Sequence, residues 1–89
     1  MFEPKSFNFG LKDIRNIFIY GYHISYTGDF YPYVAVDANQ KVWLYTVEPI
    51  IVYGMNSFSN KGSGGPALYL GTMEFEGNWE DSVRKVEYV

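Results

Sequence analysis

The chain has 89 residues, a formal net charge of −3 and no cysteine. This length fits one domain, and the lack of cysteine excludes a disulfide framework, a thiolate zinc site and a cysteine nucleophile. A hydrophobic fraction of 47% beside 19% charged residues is typical of a chain that folds. We expect a single domain over residues 1–89, held together by a core that draws on the 20% aromatic residues.

The distribution of charge and hydrophobicity also bears on partners. No segment reaches the roughly 20 apolar residues of a membrane span, and the N-terminus lacks the pattern of a signal peptide. Lys and Arg are scattered along the chain rather than clustered. The sequence therefore predicts a cytoplasmic protein with no membrane and no duplex nucleic acid among its partners.

The N-terminal third favours a tail, a helix and a strand, in that order. Residues 1–10 form a tail or edge segment, and Leu11, Ile14 and Phe18 follow at the spacing of a short helix. Residues 17–26 are almost all β-branched or aromatic, which predicts a strand with a kink or bulge at Gly21.

The clearest hairpin lies at residues 33–47, where two β-rich runs flank an Asp-Ala-Asn-Gln turn. Both faces of its second strand carry large apolar groups. Alternation places Val42 and Leu44 on one face and Trp43 and Tyr45 on the other. We expect this strand to be covered on both faces, by the rest of the chain or by another subunit.

The remaining sequence predicts a loop, a strand and a second helix. Residues 55–66 form a flexible Gly-rich loop and residues 67–75 a strand, while residues 50–53 and 86–89 are undecided between strand and coil. Asn78 is a suitable N-cap for a short helix over residues 79–85. The expected fold class is α+β or mainly β, with an antiparallel sheet of four or five strands and one short helix near each end.

Catalytic and metal-binding patterns are missing from the sequence. His23 is the only histidine, and no nucleophile elbow or Ser-x-x-Lys pair occurs. Two carboxylates could still pair in space as an acid and a base, but the sequence distinguishes no such pair. Four acidic residues are expected to be solvated: Asp37, Glu48, Glu74 and Glu76. The sequence therefore predicts a protein that is not an enzyme, with no metal and no cofactor.

Two features favour binding instead. The Gly-rich loop, with Lys61, Gly62, Ser63, Gly64 and Gly65, either wraps an anion with its backbone N–H groups or is a plain connection. The surplus of aromatic residues favours an interface with an identical subunit or a target, although a well-filled core explains it too. The aromatic candidates for that interface are Tyr20, Tyr22, Tyr26, Phe30, Tyr31, Tyr33, Tyr45, Tyr53 and Phe58.

Three segments resemble a known group of proteins. Residues 33–37 and 42–49 form an Asp-containing aromatic hairpin, and residues 77–84 form an Asn-Trp-x-x-Ser-Val element. Over about residues 33–86, this order is similar to small accessory proteins of tailed bacteriophages. The resemblance transfers no site residue, but it implies a phage-encoded protein that acts in the host cytoplasm.

The functional expectation combines these observations. It is a non-catalytic phage accessory protein that inhibits a host or anti-phage defence protein through an aromatic surface. The first alternative is an oligomeric sponge that sequesters a nucleotide signal, with Lys61 and the Gly-rich loop over the phosphates. The second alternative is a small enzyme of unrecognised type.

Overall fold

The structure, a computed structural model, describes residues 14–60 and 65–89. Of these residues, 50% are in strands and 8% in helical turns, and the sheets are small and antiparallel. In chain order the strands are β1 Ile14–Ile19, β2 Tyr22–Thr27, β3 Tyr33–Val36, β4 Lys41–Tyr45, β5 Ile50–Val52, β6 Ser57–Ser59, β7 Leu68–Thr72, β8 Arg84–Lys85 and β9 Glu87–Tyr88. Two short 3-10 turns, Tyr53–Met55 and Trp79–Asp81, complete the described elements.

The mainly β part of the expected fold class is confirmed, whereas the short helix near each end is wrong. The described residues contain no helix of seven or more residues. They also contain no helix long and apolar enough to cross a membrane. They group into two compact units, residues 14–30 with Glu87–Val89 and residues Tyr31–Val86. The prediction of a single domain stays a prediction.

The first unit is a three-stranded sheet with the order β2-β1-β9. The predicted helix from Leu11 to Phe18 is wrong where it is described, because residues 14–18 belong to β1. Only one apolar face of β1 is buried, through Ile17 and Ile19. The predicted single strand with a kink or bulge at Gly21 is wrong: Tyr20 and Gly21, at φ 49° and 84°, form the two-residue turn of the β1–β2 hairpin.

The second unit contains the sheet β7-β4-β3-β8 and the hairpin β5-β6. The predicted hairpin at residues 33–47 is confirmed as β3–β4, with Val34 opposite Leu44 and Ala35 opposite Trp43. Both faces of β4 are covered, because Leu44 is fully buried on one and Tyr45 is buried on the other. The second of these faces contributes the cluster on which the candidate site is built.

The predicted loop at residues 55–66 is wrong in its first part, because β6 lies there and pairs with β5. Residues 50–52 and 87–88, left undecided by the sequence, are strands. The predicted strand at residues 67–75 is confirmed in shorter form as β7, with an irregularity opposite Val42 and Trp43. The first ten residues and residues 61–64 lie outside the described residues.

The C-terminal Asn-Trp element caps a turn rather than a helix. The side chain of Asn78 accepts a hydrogen bond from the backbone N–H of Glu80 at 3.1 Å, so the predicted N-cap is confirmed. The 3-10 turn ends at Asp81, and the next residue, Ser82, is hydrogen-bonded to the backbone of β3. Its hydroxyl accepts from Val36 N–H at 2.9 Å and donates to Val36 C=O at 3.1 Å.

Candidate functional site

A concave pocket of about 290 Å³ opens on the second unit. Its walls come from β4 and β6 and from three residues next to strands: Asp37 after β3, Asn60 after β6 and Ala67 before β7. The lining residues are Asp37, Trp43, Tyr45, Ser57, Phe58, Ser59, Asn60 and Ala67. The volume is close to the lower end of the roughly 300–1,000 Å³ of small-molecule sites, so the pocket suits one side chain or one small ring system.

The apolar wall of the pocket is part of the hydrophobic cluster of this unit. Ala35, Tyr45 and Phe58 are buried together, and Trp43 and Trp79 pack against them. Phe58 meets Trp79 edge to face, with ring centroids 5.4 Å apart. Trp43 contacts Tyr69 at 5.1 Å between centroids. These ring contacts hold the wall in place, because each such pair contributes beyond its buried area.

Asp37 is the only charged residue among the pocket-lining residues of the described chain, and it is 8% exposed. It follows β3 directly, at the first position of the β3–β4 turn. Its Oδ1 accepts a hydrogen bond from the backbone N–H of Phe58 at 2.9 Å. The backbone N–H of Ala38 donates to Asn56 C=O at 3.2 Å. The turn and the β5–β6 hairpin are thus joined through Asp37 and its neighbour.

Burial raises the pKa of Asp37 above its ordinary value of 3.8, because the charged carboxylate loses hydration. The hydrogen bond from Phe58 and the positive charge of Lys41 lower this pKa, but desolvation outweighs both. The expectation that Asp37 is solvated is therefore wrong. Glu48, Glu74 and Glu76 are exposed, as expected.

A second feature is the apolar tip of the β5–β6 hairpin, formed by Tyr53, Gly54 and Met55. The side chains of Tyr53 and Met55 are 72% and 73% exposed. The tip closes at Asn56, whose left-handed backbone, φ 52° and ψ 44°, is a conformation that asparagine tolerates. Asn56 N–H donates to Tyr53 C=O at 3.4 Å, and Asn56 C=O is held by Ala38. The tip therefore presents two large apolar side chains on an anchored backbone.

The aromatic residues predicted to form an exposed interface are partly buried and partly exposed in the structure. The expectation of exposure is wrong for four residues, which are buried: Tyr26, Tyr31, Tyr45 and Phe58. Tyr45 and Phe58 form the wall of the pocket, and Tyr26 donates its hydroxyl to Asp29 C=O at 2.8 Å. Tyr22, Phe30 and Tyr53 are exposed, and Tyr20 and Tyr33 are half-buried. That they meet a partner stays a prediction.

The predicted anion loop is not described except at its end. Lys61, Gly62, Ser63 and Gly64 lie outside the described residues. Gly65 is exposed and has φ 79°, and its carbonyl accepts a hydrogen bond from the side-chain amide of Asn60. His23 is exposed and contacts Phe18 at 5.0 Å between ring centroids. Within the described ranges, no group of three His, Cys, Asp or Glu residues is arranged to hold a metal ion.

Sequence reasoning missed Asp37 as a site residue and Met55 as an exposed one. An aspartate at the start of a turn is ordinary turn chemistry, so its type and position carry no signal of burial. Its burial depends on β6, which lies in a segment that the composition assigns to a loop. No protein-family model, curated protein or solved structure matches the chain.

Proposed function

We propose that this chain is a non-catalytic binding protein that engages another protein through the tip of the β5–β6 hairpin. The observation that carries the proposal is the exposure of Tyr53 and Met55, 72% and 73%, at neighbouring positions of an anchored turn. Aromatic residues and methionine are enriched in protein interfaces. A fixed backbone lowers the entropy that the tip would lose on binding.

The resemblance of residues 33–86 to small accessory proteins of tailed bacteriophages supports a more specific proposal. The partner would be a host or anti-phage defence protein in the host cytoplasm, and binding would inhibit it. The β5–β6 hairpin lies between the two regions that carry this resemblance, residues 33–49 and 77–84, and is not itself part of either. Its tip exposes Tyr53 and Met55, and exposed apolar side chains suit contact with a protein target.

The test is a pull-down from host lysate with the full chain and a Tyr53→Ser/Met55→Ser double variant. We expect the original chain to recover a stoichiometric partner and the double variant to lose at least about 90% of it, since buried aromatic anchors dominate binding energy. Val89→Ser is the matched control, because it removes an apolar side chain that is 75% exposed, belongs to the first unit and is not among the predicted interface residues. Recovery of the same partner at the same yield by the double variant would refute the proposal.

A second candidate function, the nucleotide sponge, is favoured by the pocket. The rings of Trp43, Tyr45 and Phe58 line it together with Asn60, and Lys61 is the next residue in the sequence. An aromatic wall suits a base, and a lysine suits a phosphate. A thermal-shift panel of linear and cyclic nucleotides tests this function: a rise in Tm that Lys61→Ala abolishes supports it, and an unmoved Tm refutes it.

A further inference from the structure

We propose that the pocket beside Asp37 receives an arginine side chain of the protein partner. The inference rests on the proposed function and names the chemistry that the partner must carry. Asp37 is 8% exposed and lines an open pocket in which the other described lining residues are neutral.

The hydrogen bonding of Asp37 leaves room for a ligand. Among the described residues, the one donor to its carboxylate is the backbone N–H of Phe58, which binds Oδ1. A carboxylate has about four acceptor positions, and a buried one is stabilised when more of them are used. Lys41 lies on the neighbouring strand, but its ammonium stands 5.9 Å over the ring of Tyr69. Asp37 therefore has acceptor capacity that the described chain leaves unused.

The rest of the lining matches a guanidinium group better than an ammonium group or a phosphate. Trp43, Tyr45 and Phe58 give an aromatic wall on which a planar cation can stack. Ser57, Ser59 and Asn60 add hydroxyl and amide oxygens to the same lining, and acceptors of this kind suit a group with five N–H donors in a plane. A phosphate would face the buried charge of Asp37 without a cation among the described lining residues.

The net charge of the chain and the location of the pocket also favour an arginine of the partner as the ligand. The chain carries a net charge of −3, which favours approach of a basic segment. The pocket and the apolar tip are connected through β6, because Ser57, Phe58 and Ser59 of β6 line one part of the pocket and β6 follows the tip. A partner that covers Tyr53 and Met55 can place an arginine in the pocket within one interface, as an anchor in a desolvated site.

The probe is a blocked Gly-Arg-Gly peptide, with Gly-citrulline-Gly as its neutral isostere. Each is titrated into the isotope-labelled full chain, and NMR follows the backbone amide of Phe58 and the indole N–H of Trp43. We expect saturable shifts with the arginine peptide and binding at least about tenfold weaker with citrulline, because the charge-assisted hydrogen bond and the cation–π contact are lost.

Asp37→Asn is the matching variant, since its amide oxygen still accepts from Phe58 N–H and keeps the hairpin joined. We expect it to bind the arginine peptide at least about tenfold more weakly, whereas Asp29→Asn, at an exposed carboxylate, binds as the original chain does. Equal binding of the two peptides, an unaffected Asp37→Asn variant, or no saturable shift up to the solubility of the peptide would overturn the inference.

Adenosine monophosphate serves as a further arm of the same titration. Saturable shifts of Phe58 and Trp43 with the nucleotide and none with the arginine peptide would overturn the inference in favour of the sponge. The pull-down with the tip variant gives an independent readout. If the peptide fails while the tip still captures a partner, the inference fails and the proposed function stands.

Discussion

The hydroxyl of Ser82 supplies hydrogen bonds to Val36 that a neighbouring strand would otherwise supply. β8 pairs with β3 only at Tyr33 and Val34, and beyond that point the backbone of Val36 is bonded to the Ser82 side chain. Ser82 and Val36 are almost completely buried. We expect Ser82→Ala to lower the free energy of unfolding by about 1–3 kcal/mol, because a buried N–H and C=O lose their partner. Urea denaturation followed by circular dichroism measures this.

The control for this change is Ser25→Ala. The Ser25 hydroxyl also donates a hydrogen bond, to Asn16 Oδ1 at 2.6 Å, but at an exposed position. We expect this variant to stay within about 0.5 kcal/mol of the original chain. If both variants lose the same free energy, burial of the Ser82 hydrogen bonds does not have the weight assigned to it.

The raised pKa of Asp37 makes a prediction about pH. Between 3.8 and the higher pKa of the folded state, the folded chain binds the Asp37 proton more tightly than the unfolded chain. The contribution of this group to stability is therefore greatest at low pH and is lost as pH rises through that window. Asp37→Asn removes the titration and keeps the acceptor for Phe58. We expect it to raise the Tm at pH 7, by an amount that shrinks as pH falls toward 3.8.

Calorimetry of both chains between pH 3.5 and 8 measures this difference in Tm. Glu48→Gln is the control, because Glu48 is an exposed carboxylate of the same unit. Its difference from the original chain should stay small over the whole range. A Tm advantage of Asp37→Asn that grows toward low pH would mean that the folded state favours the charged carboxylate.

The β3–β4 connection makes a prediction at the scale of an element. Gln40 N–H donates to Asp37 C=O at 2.8 Å, and Gln40 has φ 73°, which completes a three-residue hairpin loop. A side chain at positive φ is strained and glycine is not. We expect Gln40→Gly to raise the free energy of unfolding by about 0.5–1 kcal/mol, measured by urea denaturation.

Gln40→Ala is the control for this element. It shortens the exposed side chain but keeps the Cβ atom, so the strain remains and stability should change by less than about 0.5 kcal/mol. The backbone hydrogen bond from Met73 N–H to Gln40 C=O, 2.9 Å, is available to all three residue types. If Gln40→Gly lowers the free energy of unfolding, backbone strain at residue 40 does not limit the stability of the turn.

How much of the fold the sequence predicts depends on how local its causes are. The β3–β4 hairpin and the cap at Asn78 follow from alternation, turn chemistry and one side-chain hydrogen bond, so they were predictable. The spacing of Ile14 and Phe18 fits both the 3.6-residue period of a helix and the two-residue period of a strand. This segment is a strand because β1 pairs with β2 and β9. β6 has one apolar residue, Phe58, and becomes a strand only through β5.

The candidate site is also predictable only where its causes are local in the sequence. The aromatic richness that predicts binding is visible in the sequence, but the division between wall and surface is not. Tyr45 and Phe58 are buried by each other and by Trp79, which comes from a distant part of the chain. Asp37 lines the pocket because β6 packs beside it. Long-range pairing thus selects the site from residues whose types alone are ordinary.

At the scale of the whole molecule, the net charge and the exposed apolar surface have opposite effects on self-association. The net charge of −3 repels a second copy, while Tyr53 and Met55 expose apolar area that favours contact. We expect a monomer at pH 7.5 and reversible association near the isoelectric point of about 4.9, where repulsion vanishes. Light scattering after size exclusion measures both states. Tyr53→Ser/Met55→Ser should weaken the association, and Val89→Ser, which removes a side chain of similar exposure, should leave it unchanged. A dimer at pH 7.5 that the double variant does not disturb would place the self-associating surface away from the tip.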